Sequence, residues 1–558
     1  MKNTIVIKNI NNIDFEVICG LKKYTYKPRK TCISKHNEGV KIFQDIVKQS
    51  VISHGRGSLL NLVEINWVCE LEENIGREFA FYSFLKNIGK SKYRYSWRGS
   101  KNIPEYRAYS MLMSSYYRLN LFYYFKIAFG KVLFYSLKSL FSFREFNQFK
   151  SSNIIIHGAN EKYLDIIHPL IEEIRRCSNA KLGILSRIKL SPIVNNMMSY
   201  RHQYLYKVNL DFTSHFREFR NEKTHVINSI PDNIDSFYFK QIINRIYAEN
   251  IFKLSNLKSN ITSIIEKGQL EIFGSTNHVE ELPKMFYVIC KSKNISTFGC
   301  KRGLTSDSPD NGMFLGDKLF VKSKFEKRLF IKRGLEYDKI FITGLPSNNE
   351  LILKNINRKK ITEKTKYENG ILDEIIILYL PQPCYMDFNL DEKKREISDI
   401  AMSIMKLNAY LIIKLHPNET NINIYDQIFK QIGFKKYKIY NDNLFNLLIS
   451  CDIALTKHSG TGIDALVIGK ELMVMNYTHR TPKEINLFKS FKVGIQVNSK
   501  NDLANGFKKI INSRNIIGTE NSSCYEYIGP QDLNSAKRII SELIPNNAKE
   551  FSHNSTDI

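Results

Sequence analysis

Two short apolar runs near the end of the chain lead directly into polar residues of kinds that bind ligands. The first run, 410–415, ends at His416, and the second, 451–455, ends shortly before the turn 459–462, which consists of serine, threonine and glycine. A helical pattern follows that turn. Short apolar runs of this kind are typical of strands that are buried on both faces of a parallel sheet. The two runs therefore predict an α/β fold whose strands deliver ligand-binding residues at their carboxyl ends.

The turn 459–462 has the chemistry of a phosphate site. Ser459 and Thr461 carry hydroxyl groups, and Gly460 and Gly462 let the backbone come close to a ligand. A turn that opens a helix also offers backbone N–H groups that no helical carbonyl accepts, together with the positive end of the helix dipole. We expect a phosphate group to bind here, with those N–H groups free to donate to it.

The same alternation of apolar runs and helical patterns begins near residue 152, with further runs at 181–185 and 375–380. It predicts an α/β protein with two Rossmann-like domains that face a cleft, and an N-terminal helical and aromatic extension. The segment 354–370 is polar, basic and without period, so it is interpreted as a linker. The predicted segments are the N-terminal extension (1–150), a first Rossmann-like domain (151–353), the linker (354–370), a second Rossmann-like domain (371–535) and a C-terminal helix and tail (536–558).

The charge of the chain favours an anionic partner. There are 82 Lys and Arg residues against 55 Asp and Glu, which gives a net charge of +27. Nucleic acid, anionic lipid and a phosphorylated substrate all fit such a charge. The frequent Lys, Asn and Ile residues also fit an A/T-biased genome, which adds lysines without a functional reason.

The nine cysteines form no Cys-x-x-Cys pair, which argues against zinc ribbons and redox dithiols and favours a reducing compartment.

The chain has no uncharged apolar run of about eighteen residues, so no membrane-spanning helix is predicted. The nearest approach is 119–143, an apolar and aromatic segment whose only charges are three lysines. Such a segment fits either a membrane interface or a buried helix of a large domain. We expect a cytoplasmic protein in peripheral contact with the anionic inner face of the cytoplasmic membrane.

Two motifs carry a resemblance to a known class of enzymes. They are Ile412-Ile-Lys-Leu-His-Pro417 and Thr456-Lys-His-Ser-Gly-Thr-Gly-Ile-Asp-Ala-Leu466. In their order and surroundings, over roughly 265–535, they resemble the GT-B class of nucleotide-sugar glycosyltransferases, especially bacterial enzymes of capsule and surface-polysaccharide synthesis. The motifs look like the His-Pro and Ser/Thr motifs of bacterial sialyl-, polysialyl- and Kdo-transferases.

The resemblance implies sugar transfer from a nucleotide donor, with CMP favoured over UDP, to a glycan or glycolipid acceptor. It also implies that 151–353 is the acceptor domain and that 371–535 is the nucleotide-sugar donor domain. In these families the His-Pro histidine and the Ser/Thr turn hold the nucleotide and its phosphate, which implies that His416 contacts the phosphate and that Ser459 and Thr461 close on it. Asp464 is then placed to accept a hydrogen bond from a ribose hydroxyl. The residues implied in donor binding are Lys414, His416, Pro417, Ser459, Gly460, Thr461, Gly462 and Asp464.

The chemistry of the transfer supports the same interpretation. The departing phosphate gains negative charge in the transition state, so cations and hydrogen-bond donors aimed at it lower the barrier. His416, Lys414 and Lys457 supply such groups. No Asp-x-Asp motif is present, which argues against a metal-dependent GT-A enzyme. We therefore expect no metal and no cofactor, with the nucleotide sugar acting as co-substrate.

The acceptor side departs from the family pattern. Many of these families have Gln-His-Gly or Trp-His-Gly where this chain has Lys301-Arg302-Gly303. The two cations suit a phosphate or an anionic acceptor better than a base, and Gly344 is predicted to lie in the same acceptor or phosphate site. The general base stays open. Its candidates are Asp307, Asp310 and His278, and His416 is the remaining catalytic candidate.

Three other functions remain alternatives. A glycerol- or ribitol-phosphate transferase of polymer synthesis would have nearly the same carboxyl-terminal half. A sugar-nucleotide 2-epimerase would share the fold, but the large basic and aromatic N-terminal region suits a membrane-bound acceptor better than a small substrate. A nucleic-acid or anionic-surface binding protein would explain the charge, yet the lysines are spread along the chain and no nucleic-acid motif is present, so no nucleic-acid partner is expected.

Overall fold

The structure is a computed structural model. It describes residues 4–9, 15–19, 22–26, 33–54, 94–98, 129, 132–133, 136, 149–158, 164–186, 198–201, 205–207, 209, 211–230, 236–300, 314–382, 390–405, 407–416, 419, 422–441, 443–457, 459–476, 494–513 and 526–544. The chain divides into two compact units, and the second contains the whole of 319–558 together with the helix 164–177.

The N-terminal region contains a four-stranded sheet that the sequence patterns did not predict. Its strands are β1 (Thr4–Asn9), β2 (Phe15–Cys19), β3 (Lys22–Tyr26) and β4 (Arg94–Arg98), and helix α1 (Ile33–His54) follows the third. The order is β3-β2-β1-β4. The consecutive strands pair antiparallel, as short connections allow, and β1 pairs with β4 in parallel.

The first large sheet has seven strands in the order β11-β10-β9-β8-β5-β6-β7. Its strands are β5 (Ile154–Gly158), β6 (Leu182–Ser186), β7 (Met198–Arg201), β8 (Ile272–Ser275), β9 (Ser296–Cys300), β10 (Lys318–Val321) and β11 (Ile340–Ile342). Parallel registers join β7–β6–β5–β8–β9 and β10–β11. All residues of β5, β6 and β8 are buried, which explains why these strands read as continuous apolar runs.

Five helices accompany this sheet in the described part of the chain. They are α2 (Leu164–Cys177), α3 (Phe212–Ser229), α4 (Ser236–Lys267), α5 (Glu281–Ser292) and α6 (Lys324–Lys332). Helix α2 buries Ile167, Leu170 and Ile174, which recur at helical spacing. Helix α6 begins at Ser323, whose hydroxyl accepts the N–H of Glu326 at 3.3 Å.

The second large sheet has six strands, all paired in parallel, in the order β14-β13-β12-β15-β16-β17. Its strands are β12 (Ile375–Leu380), β13 (Ala409–Lys414), β14 (Tyr437–Tyr440), β15 (Ile453–Thr456), β16 (Glu471–Met475) and β17 (Ile495–Val497). The accompanying helices are α7 (Asn348–Ile356), α8 (Arg358–Asn369), α9 (Leu390–Ile404), α10 (Asn423–Ile432), α11 (Leu444–Ser450), α12 (Thr461–Val467), α13 (Lys500–Ser513) and α14 (Ser535–Leu543).

Helices cover both faces of the second sheet. Ile377 and Tyr379 of β12 pack in one core with α9, α10 and α13. The alternate residues Ile376, Leu378 and Leu380 pack in the other core with α7, α11 and α12. Two-residue periodicity thus sends successive side chains of one strand to opposite faces. This doubly wound parallel sheet, together with the first, confirms the predicted α/β class with two Rossmann-like sheets.

The segment 354–370, interpreted as a linker from its polar composition, is largely helical. Helix α8 occupies most of it and ends at Gly370, whose φ of +64° is a common helix termination. The Ser450 hydroxyl donates to Thr365 at 2.8 Å, and the Tyr440 hydroxyl donates to Asn369 at 2.8 Å. Side-chain contacts on one face therefore hold this basic helix against α11 and β14. The predicted domain boundaries stay predictions.

Candidate functional site

The strand order of the second sheet contains a reversal of the kind at which open parallel sheets bind ligands. From β12 the chain adds β13 and β14 on one side of the sheet, and then β15, β16 and β17 on the other side. The direction of winding therefore reverses between β12 and β15. In open parallel sheets a crevice forms at the carboxyl ends of the strands where this reversal occurs. His416 lies just beyond the end of β13, and the turn 459–462 lies just beyond the end of β15. Two predicted donor elements therefore follow strands on either side of β12.

His416 is half-buried at the start of a short turn. Its carbonyl oxygen accepts the N–H of Glu419 at 2.9 Å. The ammonium group of Lys414 donates to the carbonyl of Leu415 at 2.7 Å, which holds the lysine close to the end of β13. Pro417 lies outside the described residues. Lys414 and His416 therefore both lie at the carboxyl end of β13.

The turn 459–462 uses several of its own backbone donors, contrary to the expectation that they would be free. The Ser459 hydroxyl oxygen accepts the N–H of Thr461 at 3.3 Å. The N–H groups of Gly462 and Ile463 donate to the carbonyls of Ser459 and Gly460, each at 2.9 Å. Helix α12 has only seven residues, so its dipole is small. The hydroxyl groups, rather than the N–H groups of 461–463, are therefore the donors that this turn has to offer a phosphate.

Asp464 lies in the first turn of α12 and is half-buried. It follows Gly460 by four residues, so the two positions share one face of the helix. A carboxylate in the first helical turn is also favourable for the helix itself. Its predicted role toward a ribose hydroxyl stays a prediction.

A buried ion pair lies beneath the turn 459–462, and the sequence patterns did not reveal it. The Lys457 ammonium group is 2.5 Å from a carboxylate oxygen of Glu396 on α9, and the two side chains are 1% and 0% exposed. The Tyr379 hydroxyl on β12 donates to the same carboxylate. Lys457 was expected to add positive charge at a phosphate, but the structure pairs that charge with Glu396.

A second buried ion pair lies beneath the turn that follows His416. Lys393 of α9 pairs with Glu419, and their side chains are 1% and 4% exposed. The Lys393 ammonium group also donates to the carbonyl of Gln382 at 3.3 Å and lies 5.4 Å from the centre of the Tyr425 ring. The sequence did hold a signal: Lys393 and Glu396 share the helix face that carries the apolar residues Ile397 and Ile400, where a charge is unexpected.

The first large sheet reverses its winding in the same way, between β5 and β8. His157 and Ser275 lie opposite each other at that point, and the His157 Nδ1 is 3.0 Å from the Ser275 hydroxyl oxygen. The Ser275 oxygen also accepts the N–H of Asn277 at 3.0 Å. The other ring nitrogen of His157, Nε2, is 3.7 Å from the Glu280 carboxylate. His157 is completely buried, as expected of a structural histidine.

The candidates for the general base lie partly outside the described residues. His278 follows β8 and is 1% exposed, with its ring edge-on to Phe314 at 5.5 Å between centroids. A base must reach the proton that it removes, and the described surroundings bury this ring. Of the residues predicted for the base and for the acceptor or phosphate site, Lys301, Arg302, Asp307 and Asp310 lie outside the described part.

Gly344 has a structural role at the end of β11. Its φ is +76°, and a Cβ atom there would lie 2.6 Å from the Ser535 hydroxyl and 2.9 Å from the Pro530 carbonyl. Arg538 of α14 donates twice to the neighbouring carbonyl of Thr343, at 2.9 and 2.7 Å. The glycine therefore permits the close approach of the segment that leads into α14. Its predicted part in acceptor binding stays a prediction.

None of the helices in the described part of the chain is long and apolar enough to cross a membrane. Most of the segment 119–143 lies outside the described residues. Of the described ones, Phe129 packs against Phe252 of α4 at 5.2 Å between ring centroids and remains 44% exposed.

Among the residues that the structure describes, no group of three or more His, Cys, Asp and Glu residues is arranged to hold a metal ion.

Comparisons with known proteins give structural likenesses at low similarity. No family model and no curated protein matches the chain. The chain is similar to the UDP-GlcNAc 2-epimerase from Neisseria meningitidis bound to UDP-GlcNAc, with 15% identity, a TM-score of 0.40 and coverage of 70% of this chain and 99% of that one. The UDP-GlcNAc 2-epimerase from Methanocaldococcus jannaschii has 13% identity and a TM-score of 0.45, and the coverage is 70% and 98%.

A glycosyltransferase from Rickettsia africae is similar to the same extent. It has 16% identity and a TM-score of 0.44, with coverage of 70% of this chain and 97% of that one. TM-scores below 0.5 at these identities do not establish a shared activity. The fold of the protein is therefore inferred from the order of its own strands, and the site is inferred from its own residues.

Proposed function

We propose that this protein is a glycosyltransferase that binds a nucleotide sugar at the carboxyl edge of the second sheet. One observation carries the proposal: His416 and the Ser459/Thr461 turn follow strands on either side of β12, where the winding of the sheet reverses. The reversal supplies the crevice, and the side chains supply the donors that a phosphate needs.

Each proposed donor-side residue has a role in the transfer. As the bond between sugar and phosphate breaks, negative charge develops on the phosphate. The His416 imidazole and the hydroxyl groups of Ser459 and Thr461 donate hydrogen bonds to that charge, and the Lys414 ammonium group adds a nearby positive charge. Asp464 accepts a hydrogen bond from a ribose hydroxyl of the same nucleotide.

The reaction that follows is a transfer without a metal or another cofactor, to a glycan or glycolipid. CMP is favoured over UDP through the His-Pro motif alone. Lys301 and Arg302 are proposed to bind a phosphate or an anionic acceptor, and the base is sought among Asp307, Asp310 and His278. The net charge of +27 supports peripheral contact with the anionic inner face of the cytoplasmic membrane.

A panel of nucleotides tests the proposal and identifies the donor. The thermal unfolding midpoint of the full chain is measured with CMP, UDP, GDP and ADP, and then with the matching nucleotide sugars and with CDP-glycerol and CDP-ribitol. We expect a rise of the midpoint with one pyrimidine nucleotide, because a ligand that binds only the folded state stabilises it.

Release of the free nucleotide from the stabilising compound then reports the reaction. Release of CMP or UDP from a nucleotide sugar, with the sugar recovered on an acceptor, supports the glycosyltransferase. Release of CMP from CDP-glycerol or CDP-ribitol instead supports the polymer-phosphate transferase. No stabilisation by any member of the panel would contradict a nucleotide site.

A further inference from the structure

Helix α9 places two charged side chains in the interior of the second sheet's packing. Lys393 and Glu396 are each 0% exposed, on the face that also buries Ile397 and Ile400. Burial of a charge is costly unless a partner of opposite charge compensates it. Both residues have such partners, and none of those partners lies on α9 itself.

The partners lie in the loops that follow three adjacent strands. Lys393 pairs with Glu419, whose N–H donates to the carbonyl of His416, and it also donates to the carbonyl of Gln382 beyond β12. Glu396 pairs with Lys457, which precedes Ser459 by two residues. The two charged residues of α9 therefore connect it to the ends of β13, β12 and β15, which are neighbours in the sheet.

Neutral donors complete each pair. The Tyr379 hydroxyl donates to Glu396, and the Tyr425 hydroxyl donates to Glu419 at 3.3 Å. With these additional bonds, each carboxylate is held by a charge and by a phenol from a different element. The direction of each carboxylate is thereby fixed, and with it the position of the loop residue of each pair, Glu419 or Lys457.

A stabilising role alone does not account for two buried ion pairs at this place. Replacing a buried ion pair by neutral residues of similar size is often neutral or favourable for stability, because the cost of desolvation is also removed. A buried ion pair does hold two segments of the chain in a fixed relative position. A binding site needs such contacts, because the residues that bind the ligand must be held in place by the residues around them.

We propose that Lys393 and Glu396 are positioning residues that hold the His416 loop and the Ser459/Thr461 turn at the separation a nucleotide phosphate requires. The inference rests on the proposed function, because it concerns the same site. Neither residue contacts the nucleotide. They act through Glu419 and Lys457, so that one helix sets the geometry of both halves of the site.

Two paired replacements test the inference. Lys457→Met with Glu396→Gln removes one ion pair and keeps an acceptor for Tyr379. Lys393→Met with Glu419→Gln removes the other pair and keeps an acceptor for Tyr425. A matched control is Asp399→Asn on the same helix, because its ion-pair partner, at 3.1 Å, is Lys500 of α13 and not a residue of either loop.

The measurements are titration calorimetry with CMP and with UDP, thermal unfolding, and hydrogen exchange of the backbone amides. We expect each paired variant to keep its unfolding midpoint while its nucleotide affinity falls by about tenfold or more, as occurs when supporting partners of a metal site are removed. Exchange should become faster at 459–462 in the first variant and at 414–416 in the second. The Asp399→Asn variant should match the wild type in all three.

The outcomes separate this inference from the proposed function. Wild-type protein that binds neither CMP nor UDP overturns the proposed function, and this inference with it. Wild-type binding that both paired variants retain, with unchanged exchange at the loops, overturns this inference alone. Loss of affinity in variants whose unfolding midpoint also falls overturns it as well, because the ion pairs would then be general stabilising contacts.

Discussion

Ser459 and Thr461 share a turn, but a change at each residue has a different structural consequence. The Ser459 hydroxyl oxygen accepts the backbone N–H of Thr461, so Ser459→Ala removes a hydrogen bond of the turn as well as a proposed phosphate ligand. Thr461→Ala leaves that bond in place, because the bond uses the backbone of residue 461. The two substitutions therefore separate a stability effect from a binding effect.

We predict that Ser459→Ala lowers the free energy of unfolding by about 1 kcal/mol, the usual net value of a hydrogen bond within a protein. Each substitution should also weaken nucleotide binding by about 2 kcal/mol, or roughly thirtyfold, the value of a hydrogen bond to a charged group. Calorimetry with CMP and UDP and urea unfolding measure the two effects. Thr461→Ser is the control that keeps the hydroxyl, and normal binding by both alanine variants would show that the phosphate assignment is wrong.

Gly344 and Gly370 form a matched pair for a second prediction. Both have positive φ angles, +76° and +64°, but only Gly344 lies against other atoms. We predict that Gly370→Ala costs about 1 kcal/mol, the cost of a left-handed conformation for alanine. Gly344→Ala should cost at least about 1 kcal/mol more, because its Cβ would also overlap with Ser535 and Pro530. Urea unfolding measures both values, and equal values would contradict the close approach at Gly344.

At the scale of single residues, the sequence predicted where ligand-type residues lie but not how they are engaged. His416 and Ser459 stand at strand ends as the patterns indicated. The pairing of Lys457 with Glu396 was not predicted, because it joins residues 61 positions apart whose distance only the packing of α9 sets. The internal bonds of the turn 459–462 were missed for a similar reason, since they depend on backbone angles.

At the scale of elements, the buried strands were predictable because both of their faces are covered. The run 375–380 coincides with β12, and 181–185 lies within one residue of β6. Strand β14 was missed, since its residues are at most half-buried and carry no continuous apolar run. Helix α8 was missed because only Thr365 of its twelve residues is buried, so it has almost no apolar stripe.

Helix α14 is held to the end of β11 by Arg538, which also pairs with Asp532. Arg538 donates to the Thr343 carbonyl and to both carboxylate oxygens of Asp532. The hydrogen bond from Arg538 lowers the pKa of Asp532 from 3.8 to about 2, chiefly because the bond favours the ionised carboxylate. A carboxyl group whose pKa is lowered on folding stabilises the folded state above its unfolded pKa and loses that contribution as the pH falls.

We therefore predict that the contribution of Asp532 to stability is complete above about pH 4 and is lost between about pH 4 and pH 2. The Asp532→Asn variant should show a smaller loss of unfolding midpoint over that range than the wild type. The measurement is thermal unfolding at a series of pH values, with Asp338→Asn, outside this arrangement, as the control. Equal slopes for wild type and Asp532→Asn would show that the ion pair adds nothing in solution.

At the scale of the whole molecule, the net charge of +27 gives a prediction about surfaces. We expect the protein to bind vesicles that contain anionic lipid and not vesicles of neutral lipid, and to lose that binding as salt is raised, because screening shortens the range of the attraction. Co-sedimentation with both kinds of vesicle measures this. Binding to double-stranded DNA that exceeds vesicle binding at the same salt concentration would favour the nucleic-acid alternative instead.

The central claim for the molecule is that its second sheet holds a nucleotide phosphate at His416. Calorimetric titration of CMP and UDP into wild-type protein, His416→Ala and His168→Ala tests it most directly. His168 on α2 is the control, since its side chain is 51% exposed and far from the site in sequence. We predict saturable binding to the wild type, the same affinity in His168→Ala, and an affinity lower by at least about tenfold in His416→Ala. Binding of equal strength in all three proteins, or to none of them, would contradict the claim.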